Sequence, residues 1–255
     1  VVRDACEAGA NIIITGAGIP TNMPEFTKDF PDVALVPIVS SARALKLICK
    51  KWERYNKLPD AVIVEGPLSG GHQGFKYEDC YKEEFQLENI VPPVIEEAKK
   101  WGDIPVIAAG GIWDKKDIDK FISLGCAGVQ MATRFIGTHE CDADDKFKDV
   151  LLNAKEDDII LMSSPVGLPA RGVKTNLQFS IENHTAPKVQ CISNCVAPCN
   201  RGTEAKIVGY CIADRLGAAY KGDVETGLFF SGSNGYKIDK IISVKELMEK
   251  LTKGE

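Results

Sequence analysis

Alternation of strands and helices is the feature of this sequence that most constrains its fold. Short, nearly continuous apolar runs predict buried strands, and segments with apolar residues at helical spacing separate them. The predicted strands are Asn11–Thr15, Ala34–Val39, Ala61–Glu65, Val106–Ala109 and Gly128–Ala132. Because strands joined through helices run in the same direction, the pattern predicts an α/β fold with a parallel sheet.

The composition is that of an ordinary globular protein, with 44% hydrophobic and 26% charged residues. The sequence contains no apolar run of membrane-spanning length and no signal peptide, so we expect a cytoplasmic location. The net charge of −5 gives no general attraction to nucleic acid or to anionic lipid. Five of the nine cysteines are scattered, and we predict that most of these are small buried residues.

The pattern changes after residue 150. Ile159–Pro165 predicts a further strand, and Ser164–Asn176, which reads SPVGLPARGVKTN, predicts a loop because it is rich in glycine and proline. Helices are predicted within Ala205–Tyr220 and Val244–Leu251. We interpret residues 1–176 as the main domain and residues 177–255 as a C-terminal cap that is not an independent domain.

A histidine lies between glycines shortly after the third predicted strand. In a parallel α/β sheet, ligands bind at the carboxyl ends of the strands. Because the neighbours of His72 are small (Gly70, Gly71 and Gly74), we predict that it lies in a loop, without bulky packing partners, and faces a ligand. Its ordinary pKa near neutrality makes it the candidate for proton transfer. The alternative is a surface histidine that stabilises a turn.

Other residues at the strand ends are candidates for binding. Glu65 ends an apolar strand, where a buried carboxylate needs a partner, either a ligand group or a lysine. Gly110 and Gly111 follow the fourth strand, and the segment Gly125–Phe135 also places small residues at a strand end. Missing side chains let a phosphate approach backbone N–H groups, although a glycine pair is also typical of a simple tight turn.

Four segments together resemble one known family. The sequences VEGPLSGGHQG, PVIAAGGI, GVQMATRF and SPVGLPARGV are similar to the nitronate monooxygenase (2-nitropropane dioxygenase) family, which includes the flavin-type enoyl-ACP reductase. The resemblance extends to about Asn176. It implies a (β/α)8 TIM barrel with FMN at the carboxyl ends of its strands. The five strands predicted above would be the fourth to eighth, and the first three strand–helix units would be missing from this sequence.

The resemblance also implies roles for individual residues. His72 matches the catalytic histidine of the family. Residues that match positions around the flavin and its phosphate are Glu65, Gly70, Gly71, Gly110, Gly111, Gln130, Met131, Ala132 and Thr133. Ala132 stands where the family usually has glycine, and its methyl group would slightly crowd the phosphate.

The activity implied by the resemblance is FMN-dependent oxidation of nitroalkanes or alkyl nitronates by O2, giving a carbonyl compound and nitrite, with His72 as the base. An alternative is an FMN-dependent NAD(P)H enoyl-ACP or quinone reductase. A third, non-catalytic alternative is a binding protein for a phosphate-bearing ligand. The expected partners are a small-molecule substrate with O2 or NAD(P)H, without nucleic acid or membrane, and a homodimer is allowed.

Four cysteines are bunched near the C-terminus at the spacing C-x3-C-x3-C-x11-C, namely Cys191, Cys195, Cys199 and Cys211. Thiolates at short spacing suit a tetrahedral zinc ion or an iron–sulfur cluster. The pattern is similar to the cluster of iron–sulfur flavoenzymes of the old yellow enzyme type. The alternative is four unligated thiols.

Overall fold

The structure is a computed structural model that describes residues 1–16, 18–189 and 209–254. The chain divides into two compact units, each built from several stretches of sequence. Unit 1 comprises Val1–Pro67, Tyr81–Ile112 and Lys116–Gln130, and unit 2 comprises Leu68–Cys80, Trp113–Lys115 and the described residues of Met131–Glu255. The domain division that we predict after residue 176 stays a prediction.

The strands of the described chain are β1 Ile12–Thr15, β2 Ala34–Val39, β3 Val62–Glu65, β4 Gly71–His72, β5 Val106–Ala109, β6 Gly128–Gln130, β7 Ile159–Ser163 and β8 Pro169–Val173. The α-helices there are α1 Val2–Glu7, α2 Met23–Phe26, α3 Ala42–Trp52, α4 Leu87–Lys99, α5 Lys115–Ser123, α6 Thr133–Ile136, α7 Asp145–Asn153, α8 Asn176–Glu182, α9 Ile212–Tyr220 and α10 Val244–Lys253. Short 3-10 helices lie at Glu53–Tyr55, Tyr77–Tyr81, Glu83–Phe85, Glu156–Asp158 and Gly235–Lys237. Among these described helices, none combines the length and the apolar character that crossing a bilayer requires.

Unit 1 is built around a parallel sheet with the strand order β1-β2-β3-β5-β6. This confirms the predicted α/β fold with a parallel sheet. Val62, Ile63 and Val64 of β3 are at most 2% exposed, as expected for a strand covered on both faces, whereas Ile12 and Ile14 of β1 are exposed. β1 and β6 are the edges of this sheet, and closure into an eight-stranded barrel stays a prediction.

Helix α3 shows how the sequence anchors unit 1. Ser41 caps it, because the serine side chain accepts a hydrogen bond from the backbone N–H of Ala44. Leu45, Ile48 and Trp52 lie at helical spacing and are fully buried. The indole Nε1 of Trp52 donates a 2.7 Å hydrogen bond to the carbonyl of Pro20, so the end of the helix is tied to the segment after β1.

Unit 2 contains a small antiparallel sheet with the order β4-β8-β7. The predicted strand at Ile159–Pro165 is confirmed as β7, but the loop predicted for Ser164–Asn176 is wrong, because β8 lies within it. Pro169 is tolerated as the first residue of its strand. Gly172 is required there by packing, since a Cβ atom on it would collide with the carbonyl oxygen of Phe229.

The scattered cysteines behave as predicted in most cases. Cys6, Cys49, Cys80 and Cys126 are buried, Cys141 is partly exposed, and all five are free thiols. Burial raises the pKa of Cys49 to about 12 and that of Cys126 to about 11. These two thiols are therefore neutral packing residues and poor nucleophiles.

Candidate active site

The carboxyl edge of the parallel sheet in unit 1 collects several of the predicted binding residues. Strand register pairs Glu65 at the end of β3 with Ala109 at the end of β5, and Ala109 with Gln130 at the end of β6. Gly110 and Gly111 follow Ala109 directly. Unit 1 therefore brings Glu65, the glycine pair and Gln130 to one edge, as ligand binding at the strand ends requires.

Glu65 is a carboxyl group held in a poorly solvated position. Burial raises its pKa to about 7, because removal from water disfavours the charged form. In the described part of the chain it has no hydrogen-bond or ion-pair partner, so the lysine salt bridge considered above is not present there. At neutral pH this carboxyl can therefore either donate or accept a hydrogen bond to a ligand.

Gly110 and Gly111 take a backbone conformation that side chains disfavour. Their φ angles are +95° and +79°, in the left-handed region that glycine adopts without steric cost. Two consecutive glycines place no side chain over the backbone after β5, which is compatible with the approach of a phosphate group.

A buried polar atom that makes no hydrogen bond to the described residues also lies at this edge. The hydroxyl Oγ1 of Thr15, the last residue of β1, is buried without a hydrogen-bond partner among the described residues. Together with Glu65 and the glycine pair, it gives the edge a polar, side-chain-poor surface that fits a phosphate-bearing cofactor such as FMN.

The candidate base His72 lies in unit 2, and its setting differs from the prediction. It is not in an open loop but in β4, where it pairs with Ala170 of β8. It also has a bulky neighbour, since its ring meets the ring of Phe230 edge-on at a centroid distance of 5.5 Å. Burial lowers the pKa of His72 below its usual range, so the imidazole is neutral at pH 7 and can accept a proton.

Ser164 is the polar partner of this imidazole. The distance between His72 Nε2 and Ser164 Oγ is 2.8 Å, and Ser164 is only 2% exposed. Ser164 belongs to the SPVGLPARGV segment that supports the family resemblance, but we did not predict a role for it. The two residues are 92 positions apart in the sequence.

Gln73, which we did not predict as a site residue, stabilises the backbone before His72. Its side chain is 1% exposed, and its Nε2 donates hydrogen bonds to the carbonyls of Ser69 (2.9 Å) and Gly71 (3.0 Å). These bonds close the turn from Ser69 to Gln73 and so fix the backbone position of His72. The sequence signal that could have indicated a role for Gln73 is its position next to the candidate base His72.

Gly70 and Gly71 have packing reasons to be glycine. A Cβ on Gly70 would lie 2.7 Å from the backbone of Ser231 and of Gly232, and Gly71 has a φ of +74°. The hydroxyl of Thr133 accepts a 2.9 Å hydrogen bond from the N–H of Gly232, which ties the start of α6 to the same turn. The contacts with flavin that we predict for Gly70 and Gly71 stay predictions.

The structure therefore distributes the predicted residues over both units. Unit 1 holds Glu65, Gly110, Gly111 and Gln130, whereas unit 2 holds Gly70, Gly71, His72, Met131, Ala132 and Thr133. We predict Met131 and Ala132 as the end of a strand, but in the structure β6 ends at Gln130 and these two residues lie between it and the start of α6.

Three of the four cysteines of the predicted metal centre lie outside the described residues. Cys191, Cys195 and Cys199 lie outside the described residues, and Cys211, immediately before α9, is a free, partly exposed thiol. Within residues 1–16, 18–189 and 209–254, no group of three or more histidine, cysteine, aspartate or glutamate side chains could hold a metal ion.

The parallel sheet with polar residues at its carboxyl edge places unit 1 in the class of α/β folds that bind ligands at strand ends. The family model described as "Nitronate monooxygenase" matches residues 1–254. The chain belongs to the nitronate monooxygenase family, as the sequence predicts.

Comparisons with individual proteins agree with this assignment. A probable nitronate monooxygenase of Staphylococcus aureus (strain Newman) is 34% identical over 119 residues, which are 45% of this chain and 31% of that protein. The match thus spans about a third of the length of this curated relative.

Two solved structures share the fold. FabK from Thermotoga maritima is 28% identical with a TM-score of 0.76, over 99% of this chain and 70% of that one. Nitroalkane oxidase from Streptomyces ansochromogenes is 19% identical with a TM-score of 0.70, over 99% and 66%. The latter similarity concerns the fold alone.

Proposed function

We propose that the protein is an FMN-dependent oxidoreductase of the nitronate monooxygenase type. It would oxidise nitroalkanes or alkyl nitronates with O2 to a carbonyl compound and nitrite. The observation that carries this proposal is the match of the family model to nearly the whole chain; His72, whose pKa burial lowers, supplies an imidazole able to take a proton at neutral pH. Family membership over residues 1–254 supports the choice of chemistry.

The residues assigned to FMN are those at the carboxyl edge of the unit 1 sheet and at the start of α6. The backbone of Gly110 and Gly111 would bind the phosphate, assisted by the segment from Gln130 to Thr133, and the carboxyl of Glu65 would hydrogen-bond a polar group of the cofactor. When bound, FMN supplies the redox chemistry, whereas the protein supplies orientation and the base.

His72 acts on the carbon that bears the nitro group. The C–H bond breaks, its electron pair moves onto the nitro group to give the nitronate, and the proton goes to the imidazole. If the substrate is already a nitronate, no proton has to be removed, and the N–H group of the neutral imidazole would instead donate a hydrogen bond to the anion. His72 should therefore matter most when the neutral nitroalkane is offered.

Oxygen consumption with nitroethane and with ethyl nitronate tests this role. We expect His72→Gln to lower kcat/KM for nitroethane on the order of 100-fold, the lower end of the usual contribution of a general base. The loss with ethyl nitronate should be smaller, and the flavin content should be unchanged. His139→Gln, which alters an exposed histidine, is the matched control. Equal nitroethane turnover by the two variants would contradict the role of His72.

A second candidate function is an FMN-dependent NAD(P)H enoyl-ACP or quinone reductase. The structural similarity to FabK at 28% identity favours this alternative. In that reaction His72 would donate a proton or orient the substrate. Anaerobic NADH-dependent reduction of a crotonyl thioester or a quinone, without turnover of nitronate, would replace the first function by the second.

We further propose that β1, β2, β3, β5 and β6 correspond to the fourth to eighth strands of an eight-stranded barrel. The TM-score of 0.76 to FabK over 99% of this chain supports this assignment. Residues 177–255 would form the C-terminal cap that carries the cysteine cluster. Iron and zinc analysis of the purified protein, together with its absorption spectrum, tests whether the cluster binds metal.

A further inference from the structure

We propose that unit 2 carries an anion site of its own, a cavity that binds the phosphoryl group of inorganic phosphate or of a small phosphate monoester. The cavity has a volume of about 140 Å³, well below the roughly 300–1,000 Å³ of pockets that enclose drug-sized ligands. It therefore suits a small anion and not a flavin. Four cationic side chains line it, namely Arg134, Lys237, Lys240 and Lys250.

This cavity is separate from the residues that we assign to FMN. Its lining includes neither Glu65 nor the glycine pair Gly110 and Gly111, and it does not include the segment from Gln130 to Thr133. Every residue of the lining belongs to unit 2, so this unit forms the cavity alone. The inference goes beyond the proposed function and does not depend on it.

The positive charge of the lining exceeds the negative charge around it. Glu246 is the ion-pair partner of two of the lysines, with its Oε1 atom 3.5 Å from Nζ of Lys240 and 3.7 Å from Nζ of Lys250. One carboxylate neutralises only one of these two ammonium groups. Asp239, the acidic residue of the lining, forms no ion pair in the part of the chain that the structure describes, and neither does Lys237. Four cations and two carboxylates leave a net charge of +2 at the cavity.

This local excess of positive charge indicates the chemistry of the ligand. The whole chain has a net charge of −5, so a cavity of the opposite sign contrasts with the rest of the molecule. Cations that converge on one cavity repel each other, and a bound anion removes that repulsion. A phosphate monoester carries a charge of about −2 at neutral pH, whereas a carboxylate carries only one negative charge. The net charge of the cavity therefore favours a phosphoryl group.

Arg134 gives the site its directional donors. Its Nη1 donates a hydrogen bond to the carbonyl of Trp113, and its guanidinium lies over the ring of Trp113 at 4.9 Å from the centroid. These contacts set the plane of the guanidinium. A guanidinium has five N–H donors in a planar fork that matches the oxygen atoms of a phosphate, so it can bind a ligand while it keeps other partners.

Backbone hydrogen bonds hold the walls of the cavity together. The N–H of Ile242 donates to the carbonyl of Gly137 (3.2 Å), and the N–H of His139 donates to the carbonyl of Ile242 (3.0 Å). Ile238 is 6% exposed, and a Cβ on Gly137 would lie 2.9 Å from its side chain. The segments that carry the cations are thus in place before the anion arrives, which lowers the entropic cost of binding.

Calorimetric titration of the FMN-saturated protein with inorganic phosphate tests the site, because FMN then fills the phosphate position that we propose for it. We expect binding that weakens as the KCl concentration rises. Acetate should bind more weakly than phosphate at the same pH and salt concentration. Equal affinity for acetate and phosphate, or no binding of phosphate by the folded wild type, overturns the proposal.

Two double variants with the same change in charge locate the binding. Lys237→Gln combined with Lys240→Gln removes two exposed cations of the lining and should weaken phosphate binding about fivefold to tenfold. Lys245→Gln combined with Lys253→Gln removes two exposed lysines outside the lining and should match the wild type. Equal affinities of the two double variants would mean that phosphate does not bind in this cavity. Arg134→Lys keeps the charge but loses the fork, so it should weaken binding about tenfold.

A titration with glycerol 3-phosphate distinguishes the two sources of the phosphoryl group. Tighter binding of this ester than of inorganic phosphate, lost in the same lining variant, identifies a phosphate monoester as the ligand, and the reverse order identifies free phosphate. If the protein takes up no FMN, the proposed function fails, but phosphate binding that the lining variant alone weakens still supports this site.

Discussion

Replacement of Glu65 by glutamine should make the flavin-free protein more stable at alkaline pH. In the native state burial raises the pKa of Glu65 to about 7 from an ordinary value of 4.5. Below pH 4.5 the carboxyl is protonated in both folded and unfolded chains, and the substitution should change little. As the pH rises from 4.5 to about 7, the unfolded carboxyl ionises while the folded one resists ionisation, so the wild type loses stability that the variant keeps.

The structure sets the size of this effect. The difference between about 7 and 4.5 corresponds to about 3 kcal/mol, at 1.36 kcal/mol per pKa unit. Glu65 is partly exposed, and water screens part of that cost, so we expect about 2 kcal/mol. The gain should be absent at pH 4, grow between pH 4.5 and 7, and stay constant above about pH 8.

Urea unfolding of the wild type and of Glu65→Gln at each pH measures the free energy of unfolding directly. Glu84→Gln, at an exposed glutamate, is the control, and it should stay within about 0.5 kcal/mol of the wild type at every pH. A pH-independent difference for Glu65→Gln, or a variant less stable than the wild type at pH 8, would refute the reasoning. Either result would mean that the native carboxylate has a compensating partner.

Further substitutions test the packing of the two units and the state of the candidate base. Gly70→Ala should destabilise the protein by about 1–3 kcal/mol in urea unfolding, because its new Cβ would meet backbone at 2.7 Å, whereas Gly217→Ala in α9, where the space is open, should stabilise by about 0.5–1 kcal/mol. Trp52→Phe should cost about 1–3 kcal/mol in the same assay, since the partly buried carbonyl of Pro20 would lose its donor. Because burial lowers the pKa of His72, we expect kcat/KM with nitroethane to stay constant as the pH is lowered past 6.5 and to fall only when the ring becomes protonated. A decline that begins well above pH 6.5 would contradict this expectation.

Local sequence was sufficient for the parallel sheet. Runs such as Val62–Glu65 are buried on both faces, and burial of this kind demands continuous apolar residues that are visible without any knowledge of their neighbours. The same local rule put Glu65 and Gly110 at strand ends. The strand β8 was missed because Pro169 and Gly172 signal a loop locally, whereas here one begins a strand and the other admits the backbone of Phe229.

The sequence by itself determined the five strands of the parallel sheet and the family. The tertiary structure decided the environment of His72: its place in a sheet, its edge-on contact with Phe230 and its hydrogen bond to Ser164. The physical reason is sequence distance. Strand burial is encoded within a few neighbouring residues, but a partner 92 positions away is specified only when the chain has folded and the turn between β7 and β8 meets β4.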